Sequence, residues 1–134
     1  DYKFIIKYLQ ELIEEHQIIV KSCGYDNHNA SAFISDLDFL GCDLIDIPQS
    51  AKSLNDATVD FQLSVKAKQV KYNKKNKLFK WSAVNATTTK NSFGEIKVDK
   101  TLQEDRIDPI DAVLDAWKIY FEAKESSDVM YIPS

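Results

Sequence analysis

Apolar residues recur at helical spacing from the start of the chain. Phe4, Ile5, Tyr8, Leu9, Leu12 and Ile13 form one stripe, and Lys3, Lys7, Glu11 and Glu14 lie on the opposite face, which predicts a helix over 2–15. The run that follows, 18–25, opens with three β-branched residues and reads as a buried strand. Ala30, Phe33, Ile34, Leu37 and Leu40 return to steps of three or four, predicting a second helix over 29–40 with Gly41 as its C′ residue. Residues 42–47 then read as a second strand, ended by Pro48. A helix between two strands makes a βαβ unit, so a parallel pair joined by a right-handed crossover is expected.

Ser53-Leu54-Asn55-Asp56 has the spacing of a capping box, with Asp in the acidic place. It predicts a third helix from there to about residue 72, with Val59, Leu63, Ala67 and Val70 as apolar positions. Residues 72–77 form a polar, lysine-rich turn, and 78–86 a short helix packing through Leu78, Trp81 and Val84. Residues 87–90 and 95–98 read as two short strands around the turn Asn91-Ser92-Phe93-Gly94. Pro109 suits the first position of a last helix that continues through Ile110, Val113, Leu114, Trp117 and Phe121. The tail from Ser126 is expected to be poorly ordered. Together these elements describe one α/β domain over 1–134, with no internal repeat.

Composition narrows the class. At 44% hydrophobic and 28% charged residues the 134-residue chain is globular rather than disordered. No apolar stretch approaches the roughly 20 residues of a membrane-spanning helix. The chain opens Asp1-Tyr2-Lys3 with no initiator Met, as a segment of a longer protein does. The net charge of −4 hides an uneven distribution. Between Phe61 and Gly94 there is no acidic residue, but there are eight lysines: Lys66, Lys68, Lys71, Lys74, Lys75, Lys77, Lys80 and Lys90. Seventeen basic residues less these eight leave nine against 21 acidic ones elsewhere, a net of −12. Such a block either binds a local anionic partner or merely keeps a surface solvated.

Two places suggest chemistry. Asp26 follows the Gly24 strand end where a strand passes into a helix, the edge at which open α/β sheets bind ligands. Asp also favours such junctions as a turn or N-cap residue. Arg106-Ile107-Asp108-Pro109-Ile110-Asp111-Ala112 puts Asp108 at the cap of the last helix and Asp111 at its third position. Capping explains both acids, since helix N-termini favour negative charge. If Asp26 converges on them, the carboxylates bind Mg²⁺ or Mn²⁺, which prefer oxygen ligands. Cys23 and Cys42 read as two buried thiols. Their spacing with His16 and His28 matches no zinc module.

The order of five short stretches is more specific than any of them alone. Gly24-Tyr25-Asp26-Asn27, Asp46-Ile47-Pro48-Gln49, Lys80-Trp-Ser-Ala-Val-Asn85, Gly94-Glu95-Ile96-Lys97 and the Arg106–Ala112 stretch follow one another as in the C-terminal nuclease domain of the tailed-bacteriophage terminase large subunit, which the chain resembles from its first helix to its last. The resemblance implies a ribonuclease-H-like fold and metal-dependent cleavage of concatemeric double-stranded DNA during genome packaging, in the cytoplasm of a bacterial host. It makes Asp26 the acid ending a core strand and Asp108 the acid opening the last helix, the two holding a Mg²⁺ or Mn²⁺ pair, with Asp111 a second candidate for the latter role. Asn85 and Lys100 match polar positions near that site. The small terminase subunit and the portal are the implied partners, and Lys66, Lys68, Lys71, Lys74, Lys75, Lys77 and Lys80 the implied DNA contacts.

The chain departs from the family pattern in two respects. The three antiparallel strands that open a ribonuclease-H-like sheet, one of them bearing another acid, do not precede the first helix. There is also no Gly-x-x-x-x-Gly-Lys-Ser/Thr loop for an ATPase. On this reading the chain alone is expected to cleave DNA weakly or not at all, and to self-associate through an exposed sheet edge or cover that edge with its own tail. The rival reading is a non-catalytic module whose lysine block binds DNA or the portal, with the acids as caps. A small-molecule enzyme on a doubly wound sheet lacks both a Gly-rich phosphate loop and a nucleophile–base pair.

Overall fold

The computed structural model of the chain describes residues 2–30 and 32–130. They fall into two compact units, one ending at Ile47 and the other beginning at Pro48.

The first unit opens with α1, Tyr2–His16. Gln17 takes the left-handed conformation (φ 51°), and the Ile18 N–H donates to the Ile13 carbonyl at 3.0 Å, closing the helix as a Schellman motif without glycine. That bond commits Ile18 to the helix end. The strand expected over 18–25 therefore begins only at Ser22, and Ile18 and Ile19 stand exposed. β1, Ser22–Tyr25, pairs in parallel with β2, Asp43–Asp46, in the register Ser22 with Asp43 through Tyr25 with Asp46. The Ile47 N–H extends the ladder to the Tyr25 carbonyl at 2.8 Å. Just upstream of β2, Gly41 is left-handed (φ 62°), which limits how far the pairing can run.

The helix expected over 29–40 is not continuous. One α-helical turn, α2 (Asn27–Ala30), gives way to a 3₁₀ helix, Ile34–Leu40. Ile34, Leu37 and Leu40 repeat every three residues, the period of a 3₁₀ helix, and Leu37 is buried. Tyr2 stacks on Phe33 at 4.7 Å. The α1 stripe is otherwise open: no α1 residue is buried, and Phe4 is 72% exposed.

The second unit is built on α3, Ala51–Lys66. Its cap is Ser50, whose hydroxyl accepts from the Ser53 N–H at 3.1 Å, so Ser53 lies inside the first turn and the expected capping box does not form. The helix ends at Lys66 rather than near residue 72. Lys68 is left-handed (φ 57°) and Gln69 N–H donates to the Ser64 carbonyl at 2.9 Å, a second Schellman motif without glycine. The buried face is Leu54, Ala57 and Thr58; Val59 and Leu63, expected inside, are exposed. The Thr58 hydroxyl donates to the Leu54 carbonyl at 2.7 Å, which settles a polar group at 1% exposure.

α4, Lys77–Asn85, is capped by the Asn76 side chain on Phe79 N–H at 3.0 Å. Its inward face is turned away from the expected one. Ser82 is fully buried and Leu78, Trp81 and Val84 are exposed. A small residue facing inward lets α4 sit close against the last helix, and the Ser82 hydroxyl is satisfied by the Phe79 carbonyl at 2.8 Å. β3 (Ala86–Lys90) and β4 (Ile96–Lys100) form an antiparallel hairpin. Its turn is held by the Asn91 side chain, which accepts from Phe93 and Glu95 N–H at 3.0 Å each, and by Gly94 at φ 80°. The Ile96 N–H donates to the Asn55 side chain at 2.8 Å, fixing the hairpin to α3. α5, Asp108–Met130, buries Ile110 and Leu114 and is tied to α3 by Trp117 Nε1–H donating to Asp60 at 2.8 Å. It is helical through 126–130, where a tail was expected; 131–134 lie outside the described residues.

Candidate carboxylate site

The Asp111 N–H donates to the Ile107 carbonyl at 3.0 Å, which starts α5 at Asp108, one residue ahead of the expected Pro109. Asp108, Asp111 and Asp115 then follow at intervals of three and four, so one face of the first two turns carries three carboxylates. β4 adds to them. Lys97 and Asp99 are two residues apart on a strand and share a face.

The consequence is visible at Asp111. Its pKa is pushed up to about 6, first by burial, then by the neighbouring charges of Asp115, Asp108 and Asp99, with Lys97 opposing. Asp115 is 8% exposed and accepts from the Gln49 side-chain amide at 2.9 Å. Lys97 Nζ donates to the Gln49 carbonyl at 3.3 Å. Gln49 thus links the buried end of the acidic row to Lys97. Asp108, at the other end, is exposed.

Asp26 belongs to the first unit. It is half-buried just past β1, and its carboxylate accepts from the His28 N–H at 3.0 Å while its carbonyl accepts from Ala30 N–H at 3.0 Å. These are the bonds of a turn-capping Asp. Asn85 ends α4; its carbonyl accepts from both the N–H and the hydroxyl of Thr101 at 2.8 Å each. Its side-chain Nδ2 is buried with no hydrogen-bond partner. Lys100 is half-buried at the end of β4, opposite Ala86. Lys66, Lys68, Lys71, Lys74, Lys75, Lys77 and Lys80 are all exposed.

Among the described residues, no three His, Cys, Asp or Glu side chains close into a metal cage. Cys23 and Cys42 are half-buried rather than buried, and burial, then the neighbouring Cys42, push the Cys23 thiol up.

Sequence reasoning missed Asp99, Asp115, Lys97 and Gln49. Asp115 was within reach, since it lies one helical turn beyond Asp111. Gln49 and Lys97 stand in stretches that carried the family resemblance, but nothing in their spacing predicted that they would meet.

A family model described as terminase large subunit, endonuclease domain, matches residues 1–125, and the chain belongs to that family. The crystal structure of the HK97 bacteriophage large terminase is similar in fold, with a TM-score of 0.75 and 24% identity over 89% of this chain. The chain spans 25% of the length of that terminase. Comparison with curated proteins gave no match.

Proposed function

We propose that the chain is the nuclease part of a phage terminase large subunit, with a ribonuclease-H-like fold, cutting concatemeric DNA with Mg²⁺ or Mn²⁺ during packaging. The observation that carries this reading is the row of carboxylates at the start of α5, where burial first and then the charges of Asp115, Asp108 and Asp99 push the Asp111 pKa up to about 6. A set of oxygen donors with too much negative charge fits a hard divalent cation.

Asp108, exposed at the end of the row, and Asp26, at the end of a strand, would hold the metal. Asp111, one turn along, would complete the acidic wall. When bound, the metal pair supplies an activated water and stabilises the leaving oxygen. Asp115 and Gln49 keep the buried end of α5 fixed, and Lys97 limits the charge that accumulates there. The exposed lysines would bind DNA phosphates with little sequence preference. The portal and the small terminase subunit would be the partners of the complete protein.

The second reading, a non-catalytic module driven by the lysine block, is favoured by one observation: all seven lysines from Lys66 to Lys80 are exposed. Metal dependence separates the two. The protein carrying this domain should relax supercoiled plasmid with Mn²⁺ but not with EDTA, and Asp26→Asn or Asp108→Asn should reduce cleavage to background while DNA binding persists. Metal-independent cleavage, or full activity in both variants, would exclude these residues as the metal site.

A further inference from the structure

A cavity of about 600 Å³ opens in the second unit, away from the acidic row except for Ile110 at one wall. The Tyr72 and Phe79 rings line it as a tilted pair, 5.4 Å between centroids. Thr87 and Thr88 place hydroxyl-bearing side chains and Gln62 an amide among its apolar walls, and Lys66 stands at it too. Tyr72 is 48% exposed, so one aromatic edge of the cavity faces solvent. The segment that carries this wall also carries the lysines. Lys71 adjoins Tyr72, Lys80 adjoins Phe79, and Lys74, Lys75 and Lys77 occupy the exposed stretch between them.

We propose that this cavity takes an unpaired nucleobase of a DNA strand whose phosphates run along the lysine-rich segment. Three features select that occupant. Aromatic faces beside a cationic track are the pairing that single-strand binders use, with rings for bases and lysines for phosphates. The volume lies in the range of small-molecule pockets and suits a planar ring system. Hydroxyl and amide groups on apolar walls can meet the edge of a base, whereas an acidic amphipathic helix would need a long apolar groove. The pocket is compact, and its cations follow one another along an exposed loop and the first turn of α4. The proposal rests on the DNA-directed reading above and deepens it: a domain that handles DNA ends would hold a frayed strand here, apart from the carboxylates.

The test compares two ligands of equal charge. A twelve-nucleotide oligothymidylate and an abasic strand of the same length are titrated into the chain by fluorescence anisotropy at several salt concentrations. The oligothymidylate should bind about tenfold more tightly, the scale of one base–aromatic stack. Tyr72→Ala should abolish that preference while leaving the salt slope unchanged, its fold being checked by circular dichroism. The two-ligand comparison on the unaltered chain stands even if that variant misfolds. Equal affinity for the two strands would overturn the proposal, as would preferential binding of an acidic amphipathic peptide. Either result leaves the metal-nuclease reading intact, because that reading depends on Asp26, Asp108 and plasmid cleavage.

Discussion

The two units solve the same problem with unequal means. The second sets Leu54, Ala57, Ile110 and Leu114 in its core and pairs its three buried polar residues internally, Thr58 on Leu54, Ser82 on Phe79 and Asp115 on Gln49, while the Ser53 hydroxyl and the Asn85 side-chain nitrogen stay without partners. The first has a ladder of four residue pairs, a 3₁₀ helix and an amphipathic α1 that buries no residue. Leu37 and Ile47 are its fully buried apolar side chains among the described residues. Both units contain strong apolar periodicity, yet it marks a core in one and an open face in the other. Periodicity reports which residues share a side, and a partner element decides whether that side is buried.

The largest expected effect tests this contrast directly. Leu114→Ala, at a site 2% exposed, should cost about 2–5 kcal/mol. Phe4→Ala, at 72% exposure, should cost less than about 0.5 kcal/mol. Urea denaturation separates the units, because both tryptophans, Trp81 and Trp117, lie in the second, so their fluorescence follows that unit alone. Tyr2, Tyr8 and Tyr25 belong to the first. Equal costs for the two substitutions would mean that α1 is packed in solution and that the contrast is wrong.

What could be read from the sequence divides along physical lines. The parallel pair, the hairpin with its Asn91–Gly94 turn, and the apolar face of α5 were all legible, because each rests on local spacing or on turn chemistry. The end of α3 and the start of β1 were not. Gln17 and Lys68 adopt left-handed backbone where a glycine signal was sought, so α3 was read about six residues too long and the first strand four residues too long. The face of α4 was misread because a fully buried serine outranks three large apolar residues when close helix packing is what matters. At the candidate site, the shared helix of Asp108 and Asp111 was legible from their spacing. Asp99, Lys97 and Gln49 were missed because they reach α5 only through tertiary packing.

A smaller effect sharpens the boundary of the second unit. Ser50→Ala should destabilise it by about 1 kcal/mol, since it removes the acceptor for Ser53 N–H. Ser53→Ala should be neutral or slightly stabilising. The Ser53 hydroxyl is buried with no hydrogen-bond partner, so its loss removes a desolvated group rather than a cap. The reverse order in chemical denaturation would restore Ser53 as the cap.

The smallest expected effect is electrostatic and belongs to the second unit alone. Folded, the chain keeps the Asp111 proton up to about 6, while the ordinary carboxylate value is 3.8. Between those values the folded state binds more protons than the unfolded one, so stability falls as pH rises through the window and is level on either side of it. The cause is burial beside Asp115, Asp108 and Asp99, which penalises the charged form. Asp111 is about half-buried, and solvent screening makes the loss smaller than the shift alone would suggest. Asp111→Asn removes the titration and keeps the shape. The stability difference between the unaltered chain and this variant, followed by Trp fluorescence in EDTA, should therefore drift against the unaltered chain from pH 4 to about 6 and then hold steady. A flat difference would show that Lys97 already balances the acidic row. A difference drifting the other way would mean that the Asp111 carboxylate is stabilised when charged, and the crowding on which the metal reading rests would be absent.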